Sequence, residues 1–249
     1  MTKTLIITGM HRSGTSFFAS YMQKCGLFLG HNLMRGDIGN PNGYFEDTRI
    51  VDFHNSLLSK VGLDYFPTDI DQFKRIDFGT QGFQNIYDIL RTEGRDNALI
   101  GWKDPRTSLF LNYWKEVVEE PGYIFLIRSP TNVFDSLLRR GTDPLLLKSP
   151  VRILKSYKLY NRLILDFYLE NRRKCVVVPI DTFIDNFEKV IEVIQSKLDI
   201  ALAPKELDTL FDRSGIKLDH FRLGFFKRHR YKRELAAAYK IYQDLLELV

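Results

Sequence analysis

The sequence predicts an α/β fold: a P-loop-type three-layer α/β/α arrangement around a central parallel sheet. Three observations carry that expectation. Short, uniformly apolar runs rich in β-branched residues alternate with longer stretches of helical periodicity, as strands covered by helices on both faces require. The first of these runs leads through a glycine loop straight into a helix. Charged clusters fall just after the strand ends, where open α/β sheets bind their ligands.

Each element has its own signal. Residues 5–8 form the first strand and 9–14 the loop after it. Residues 15–26 read as a helix, with Phe17, Phe18, Tyr21, Met22 and Cys25 at spacings of three and four. The stretch 30–43, rich in Gly, Asn and Asp, is a loop. Residues 48–61 follow as a helix with Ile50, Val51, Phe53, Leu57, Leu58 and Val61 as its apolar set. Residues 62–82 are polar and aromatic, broken by Pro67 and glycines, and read as a mobile flap or a substrate-side insertion. A helix is expected over 83–95 and a second strand over 98–102. Lys103-Asp104-Pro105-Arg106 breaks that strand, and 107–119 reads as a helix. The third strand is 123–127, and Pro130 opens a helix towards Arg140, a favourable place for proline. After a loop at 141–150, residues 151–170 form a long amphipathic helix, 175–178 a fourth strand and 182–198 another helix. A terminal helix over 234–248 presents Leu235, Ala238, Tyr239, Tyr242, Leu245, Leu246 and Val249 on one face.

Composition narrows the class. A chain of 249 residues with 44% hydrophobic and 27% charged residues suits one generous domain spanning 1–249, not a disordered chain. The net charge of +5 is concentrated: residues 217–240 hold eight basic and two acidic residues, which leaves the remainder near neutral. Two cysteines, Cys25 and Cys175, are too few for a disulfide scaffold or a cysteine-rich zinc site and read as small buried hydrophobes. The apolar start is too short for a signal peptide, and no run reaches the roughly 18 apolar residues of a membrane span. A cytoplasmic protein without a transmembrane segment is the expectation.

Four segments carry chemistry. Gly9-Met10-His11-Arg12-Ser13-Gly14-Thr15-Ser16 joins strand to helix, so that backbone N–H groups and the helix N-terminus favour an anion. The Walker pattern would place Lys at Thr15; here Arg12 supplies the charge from inside the loop. Arg128 ends the third strand, with Ser136 about two helical turns on, a placing that lets an Arg fork grip a phosphate. Lys103-Asp104-Pro105-Arg106 is either a strand-end site or a solvated charge cluster. Asn40-Pro41-Asn42-Gly43-Tyr44-Phe45-Glu46-Asp47-Thr48-Arg49 is either functional or a turn with an Asp47 or Thr48 helix cap and Arg49 exposed.

Together these segments resemble the sulfotransferases that use 3′-phosphoadenylyl sulfate. The glycine loop is similar to that family's 5′-phosphosulfate loop, the Arg128 and Ser136 pair to its 3′-phosphate site, and Lys103 to a lysine on its intervening strand. The run Phe45-Glu46-Asp47-Thr48-Arg49 resembles the stretch of tyrosylprotein sulfotransferases that bears a catalytic glutamate. The segment Val178-Pro179-Ile180-Asp181-Thr182-Phe183 is similar to the family's tyrosine–glutamate segment, with Asp181 in place of Glu. The Gly-x-x-Gly-x-Trp-Lys motif and histidine base of the cytosolic small-molecule enzymes are absent, which points to the carbohydrate and tyrosylprotein branch.

The resemblance implies sulfuryl transfer to an acceptor hydroxyl or amine, with adenosine 3′,5′-bisphosphate as the product and no metal. Cofactor-binding residues would be His11, Arg12, Ser13, Gly14, Thr15, Ser16, Arg128 and Ser136. Arg12, Lys103 and Glu46 would be catalytic, with Glu46 as base and Asp104 or His11 as competitors; Asp104 could instead orient Lys103 or Arg106. Residues 30–97 would form the acceptor side, and the basic segment within 217–249 would cover the nucleotide, be a solvated helix entry, or meet an acidic acceptor or membrane surface. His31 and His54 carry no motif and read as ordinary loop or packing residues. The acceptor is unidentified, and nucleic acid is not an expected partner. The alternatives are a P-loop nucleotide-dependent kinase and a non-catalytic polyanion-binding protein.

Overall fold

The structure, a computed structural model, describes residues 2–37, 40, 43–206 and 230–249. Four strands form one parallel sheet: β1 (Lys3–Thr8), β2 (Leu99–Lys103), β3 (Gly122–Ile127) and β4 (Cys175–Pro179), in the order β2-β1-β3-β4. Register pairs Ile6 with Trp102, Ile7 with Ile124 and Leu126 with Val178. Because successive side chains alternate between faces, Ile6, Trp102, Phe125 and Val177 enter one core while Leu5, Ile7, Ile124, Leu126, Val176 and Val178 enter another. Two-sided burial explains why these strands read as continuous apolar runs.

The helices are α1 (Thr15–Lys24), α2 (Thr48–Lys60), α3 (Ile70–Lys74), α4 (Gln81–Glu93), α5 (Leu111–Val117), α6 (Pro130–Arg140), α7 (Pro144–Lys148), α8 (Val151–Glu170), α9 (Ile180–Phe183), α10 (Phe187–Leu198) and α11 (Lys232–Leu246). Helices α1 and α10 cover one face of the sheet; α2, α4, α5, α6, α8 and α11 supply the core on the other. The outer edge of β2 is covered by the chain after α1: the Phe28 amide donates to Leu99 O, and the Gly101 amide donates to Phe28 O. Among the described residues, no helix is long and apolar enough to cross a membrane.

Several boundaries differ from the sequence reading. Residues 62–82 are not a flap. They contain α3, bury Phe66 and Phe73, and are stapled to α8 by Arg152 on Asp64 at 2.8 Å and by Ser156 on the Pro67 carbonyl at 2.7 Å. Aromatic burial overrides the local breakers here. The helix expected over 107–119 splits into a 3-10 turn, Pro105–Leu109, and α5, because the Asp104 side chain caps the Arg106 amide and starts the coil early. The expected loop at 141–150 holds α7, capped by Asp143, and the helix expected from 182 is broken by the 3-10 turn Ile184–Asn186. On α11, Ala238, Tyr242 and Leu245 are buried, but Val249 lies beyond the helix and is exposed. Both cysteines are free and buried.

The β1–β2 pair is close-packed at Gly101, where a Cβ would collide with the Leu5 carbonyl. Gly101→Ala should therefore lower stability by about 2 kcal/mol, read as a shift of the urea midpoint. An unchanged midpoint would contradict this strand contact.

Candidate functional site

The carboxyl ends of β1, β2 and β3 deliver three charged segments to one place. After β1 the chain turns through a loop in which the Ser13 amide donates to Met10 O at 3.1 Å. Arg12 and Gly14 both have left-handed backbones, with φ of 69° and 81°. Gly14 is the N-cap of α1, and a Cβ there would strike the Ile180 side chain. The N-cap Gly14 has no side chain with which to cap α1, so the first amides carry the positive end of the helix dipole without that partner. The resemblance implies that Ser13, Gly14 and Thr15 hold an anion; in the structure the Ser13 amide donates within the turn.

Arg12 does not stay within its loop. Its Nε donates to Ser136 Oγ on α6 at 3.0 Å, and its carbonyl accepts from Arg128 Nη1 at 3.2 Å. Arg128 is held in turn by Asp181, whose Oδ1 lies 3.6 Å from Nε, while the Tyr157 hydroxyl donates to the Arg128 carbonyl at 2.8 Å. The two anion subsites expected from the sequence are therefore joined through Arg12 and Ser136. Burial, with Arg140 and Arg128 nearby, depresses the Arg12 pKa. An anion would relieve that crowding of positive charge.

Lys103 ends β2 and is almost wholly buried. Its Nζ donates to Glu46 Oε1 at 2.6 Å and to Ser16 Oγ at 3.1 Å. Burial draws the ammonium below the ordinary lysine range, against the pull of Glu46 towards the charged form. Glu46 is equally buried, and its Oε2 accepts from Arg106 Nη2 at 3.3 Å. Its backbone is fixed by Met34 N on Glu46 O at 2.7 Å and by a left-handed Phe45, φ 55°. Next to it, Asp47 caps α2 through the Arg49 amide and pairs with the Arg49 guanidinium, which also grips Glu93. The capping role foreseen for Asp47 is present, but Arg49 is held between two carboxylates and not left exposed.

Behind these groups lies a second buried set. Asp104 Oδ1 accepts from the Arg106 amide at 3.1 Å, and Oδ2 lies 2.7 Å from His54 Nδ1 and 3.4 Å from Arg106 Nε. Trp114 Nε1 donates to His54 Nε2 at 3.0 Å. Of the two orientations considered for Asp104, the contacts fall on Arg106. His11 sits against the rings of Tyr65, Phe66 and Tyr160, with its Nε2 3.4 Å from the Tyr160 hydroxyl.

The structure thus brings Arg12, Ser136 and Arg128 together on one side, and Lys103, Ser16 and Glu46 on the other, with the opening of α1 between them. His54, Trp114, Tyr160 and Arg106 complete the surroundings. One signal for His54 was present: it shares the buried face of α2 with Ile50, Leu57 and Leu58, a polar group on an apolar stripe. Of the basic C-terminal segment, residues 217–229 lie outside the described residues; Arg230, Lys232 and Arg233 are exposed around the start of α11.

Comparison with solved structures settles the architecture. A sulfotransferase from Mycobacterium avium matches with a TM-score of 0.62 at 12% identity, over 100% of this chain and 77% of that one. The sulfotransferase domain from the curacin biosynthetic pathway matches at 0.54 and 17% identity, over 84% and 77%. That of the Synechococcus olefin synthase matches at 0.53 and 17%, over 100% and 93%. The chain has the sulfotransferase fold. No protein-family model and no curated protein matches the sequence. In this sulfotransferase fold the site described above occupies the carboxyl edge of the sheet, the position general to α/β folds.

Burial keeps two imidazoles neutral. His11 is depressed well below its ordinary value by burial and by the Arg106 charge; His54 is depressed by burial against the pull of Asp104. The unfolded chain takes up these protons below about pH 6.5 while the fold does not. Stability should therefore fall as pH drops from about 6.5 towards 5, by up to about 1.4 kcal/mol per pH unit for each ring. Asp104, which Arg106 and His54 hold below the carboxylate range against its burial, adds its loss only at lower pH. Urea titrations at pH 7, 6 and 5 would show the slope, and His11→Phe should remove part of it; a flat profile would contradict neutral burial.

Proposed function

We propose that this protein is a sulfotransferase that moves a sulfuryl group from 3′-phosphoadenylyl sulfate to a hydroxyl or amine of a carbohydrate or other metabolite. One observation carries the reading. An uncapped helix N-terminus lies between a buried lysine–glutamate pair and an Arg12–Ser136–Arg128 cluster. Two groups of cationic donors flanking a helix N-terminus suit a ligand with two separate phosphate groups. The sulfotransferase fold and the sequence resemblance support the same class.

In this reading the donor, when bound, supplies an activated sulfuryl group, and the chain supplies position and charge. The α1 amides and the Ser16 hydroxyl hold the phosphosulfate end. Arg128 and Ser136 hold the 3′-phosphate, and Arg12, rooted in one subsite and reaching the other, spans both. Lys103 meets the charge that develops on the 5′-phosphate as the sulfur–oxygen bond breaks. Glu46 Oε1 takes the acceptor proton as the acceptor bonds to sulfur. Lys103 Nζ already bridges Glu46 and Ser16, so a phosphate beside it shares its charge and loosens its hold on Oε1. Residues 30–97 lie on the acceptor side, with Tyr65 and Phe66 packed on His11 beside the loop.

Adenosine 3′,5′-bisphosphate should stabilise the protein without magnesium, by about 2.7 kcal/mol at a hundredfold excess over Kd. Arg128→Ala with Ser136→Ala should weaken that effect about tenfold or more in affinity. Glu46→Gln should lower donor turnover by about 10²–10⁴ while still binding the bisphosphate. Stabilisation by magnesium-ATP alone would favour the kinase reading, and a response to polynucleotide alone would favour a polyanion-binding module.

A further inference from the structure

The buried charges around Glu46 form a closed account. Lys103 and Arg106 are cations, Glu46 and Asp104 are carboxylates, and all four are buried. The group that completes this cluster is His54, which is fully buried and lies on α2, far in sequence from either partner. An indole N–H can only donate. Trp114 Nε1 faces His54 Nε2 at 3.0 Å, so Nε2 is the acceptor and the ring proton sits on Nδ1. Nδ1 then donates to Asp104 Oδ2 at 2.7 Å. The tautomer is set by the tryptophan.

That donation has a consequence two residues away. Asp104 Oδ2 also lies 3.4 Å from Arg106 Nε, and the same guanidinium reaches Glu46 Oε2 through Nη2 at 3.3 Å. Arg106 is thus divided between two carboxylates. The hydrogen bond from His54 satisfies Asp104 in part, which leaves the guanidinium shared with Glu46. Without it, Asp104 would draw Arg106 towards itself and off Oε2, and Glu46 would be held by Lys103 alone.

We propose that His54 is a positioning residue: donating from Nδ1, it sets Asp104 so that Arg106 stays on Glu46 and fixes the orientation of that carboxylate beside Lys103. The assignment rests on the reading of Glu46 as the base. It also explains why the position carries a neutral donor: a cation there would add an unbalanced charge to a buried set that is otherwise neutral.

Two substitutions separate positioning from mere packing. In His54→Asn the side-chain amide nitrogen stands where Nδ1 was, so the donor to Asp104 is kept and the acceptor for Trp114 is lost. In His54→Gln the longer side chain reaches towards Trp114, and the donor to Asp104 is lost. Conversion of 3′-phosphoadenylyl sulfate to adenosine 3′,5′-bisphosphate, with water as acceptor, gives kcat; bisphosphate titration gives affinity; thermal melts give stability. His54→Asn should keep kcat within about threefold while melting lower. His54→Gln should lose about tenfold or more in kcat, as expected when a reacting group is misplaced, with bisphosphate affinity within about twofold of wild type. Equal kcat for the two variants, or kcat that follows melting temperature, would overturn the proposal. If either variant fails to fold, the ¹⁵N spectrum of histidine-labelled wild-type protein decides: a neutral ring protonated on Nδ1 upholds the relay, and one protonated on Nε2 overturns it. Wild-type protein that binds the bisphosphate but never turns over the donor would instead count against the sulfuryl-transfer reading, and the same spectrum would still judge the relay.

Discussion

Burying Lys103 is the constraint on which the rest of the site depends. An ion moved into a protein interior loses several kcal/mol of hydration, and only a close counter-charge offsets it. Glu46 provides that counter-charge at 2.6 Å. The chain that carries Glu46 must therefore return to the sheet edge, which it does by pairing Leu33 with Asp47 and by the Met34–Glu46 hydrogen bond. Arg106 buried beside Glu46 needs its own second carboxylate, Asp104, and Asp104 needs a neutral donor, His54. One lysine at a strand end thus dictates the loop before α2, the turn after β2 and a polar residue in the middle of an apolar helix face.

The strands were legible because burial on two faces writes itself as short continuous apolar runs, and the structure moves their ends by only one or two residues. Anion-loop and strand-end positions were legible for a related reason. Arg12, Lys103 and Arg128 follow immediately on those strands, so locating the strands located the charges. The packing of residues 62–82 was not legible because Phe66, Phe73 and Phe78 follow no helical or strand period; Phe66 lies on His11, Phe73 and Phe78 lie on Phe110 in the turn before α5, Phe78 also on Tyr113 of α5, and Ser156 of α8 holds the Pro67 carbonyl. Partners of that kind are distant in sequence, and local pattern carries no trace of them.

The same distinction runs through the site. Which residues stand at the strand ends could be read from type and spacing. Which residues hold one another could not: Arg12 on Ser136 and His54 on Asp104 each join elements more than forty residues apart. The tautomer of His54 depends on an indole that comes from α5, and the turn that occupies the Ser13 amide depends on backbone dihedrals. Sequence speaks for chemistry and periodicity; the sharing of one carboxylate between two donors is a property of packing.

The short stretch that runs along the outside of β2 bears on the behaviour of the chain in concentrated solution. A sheet edge is a row of unmatched donors and acceptors, and an exposed one invites a strand from another molecule. β2 is such an edge, and it carries Lys103. The backbone of Phe28 takes up one outward carbonyl and one outward amide of β2, and a bridge of a single residue is enough to block continuous pairing along it. The strand that ends in the buried Lys103–Glu46 pair is thereby closed to strand addition, and β2 is a poor template for self-association at the edge where misassembly would disturb the site most.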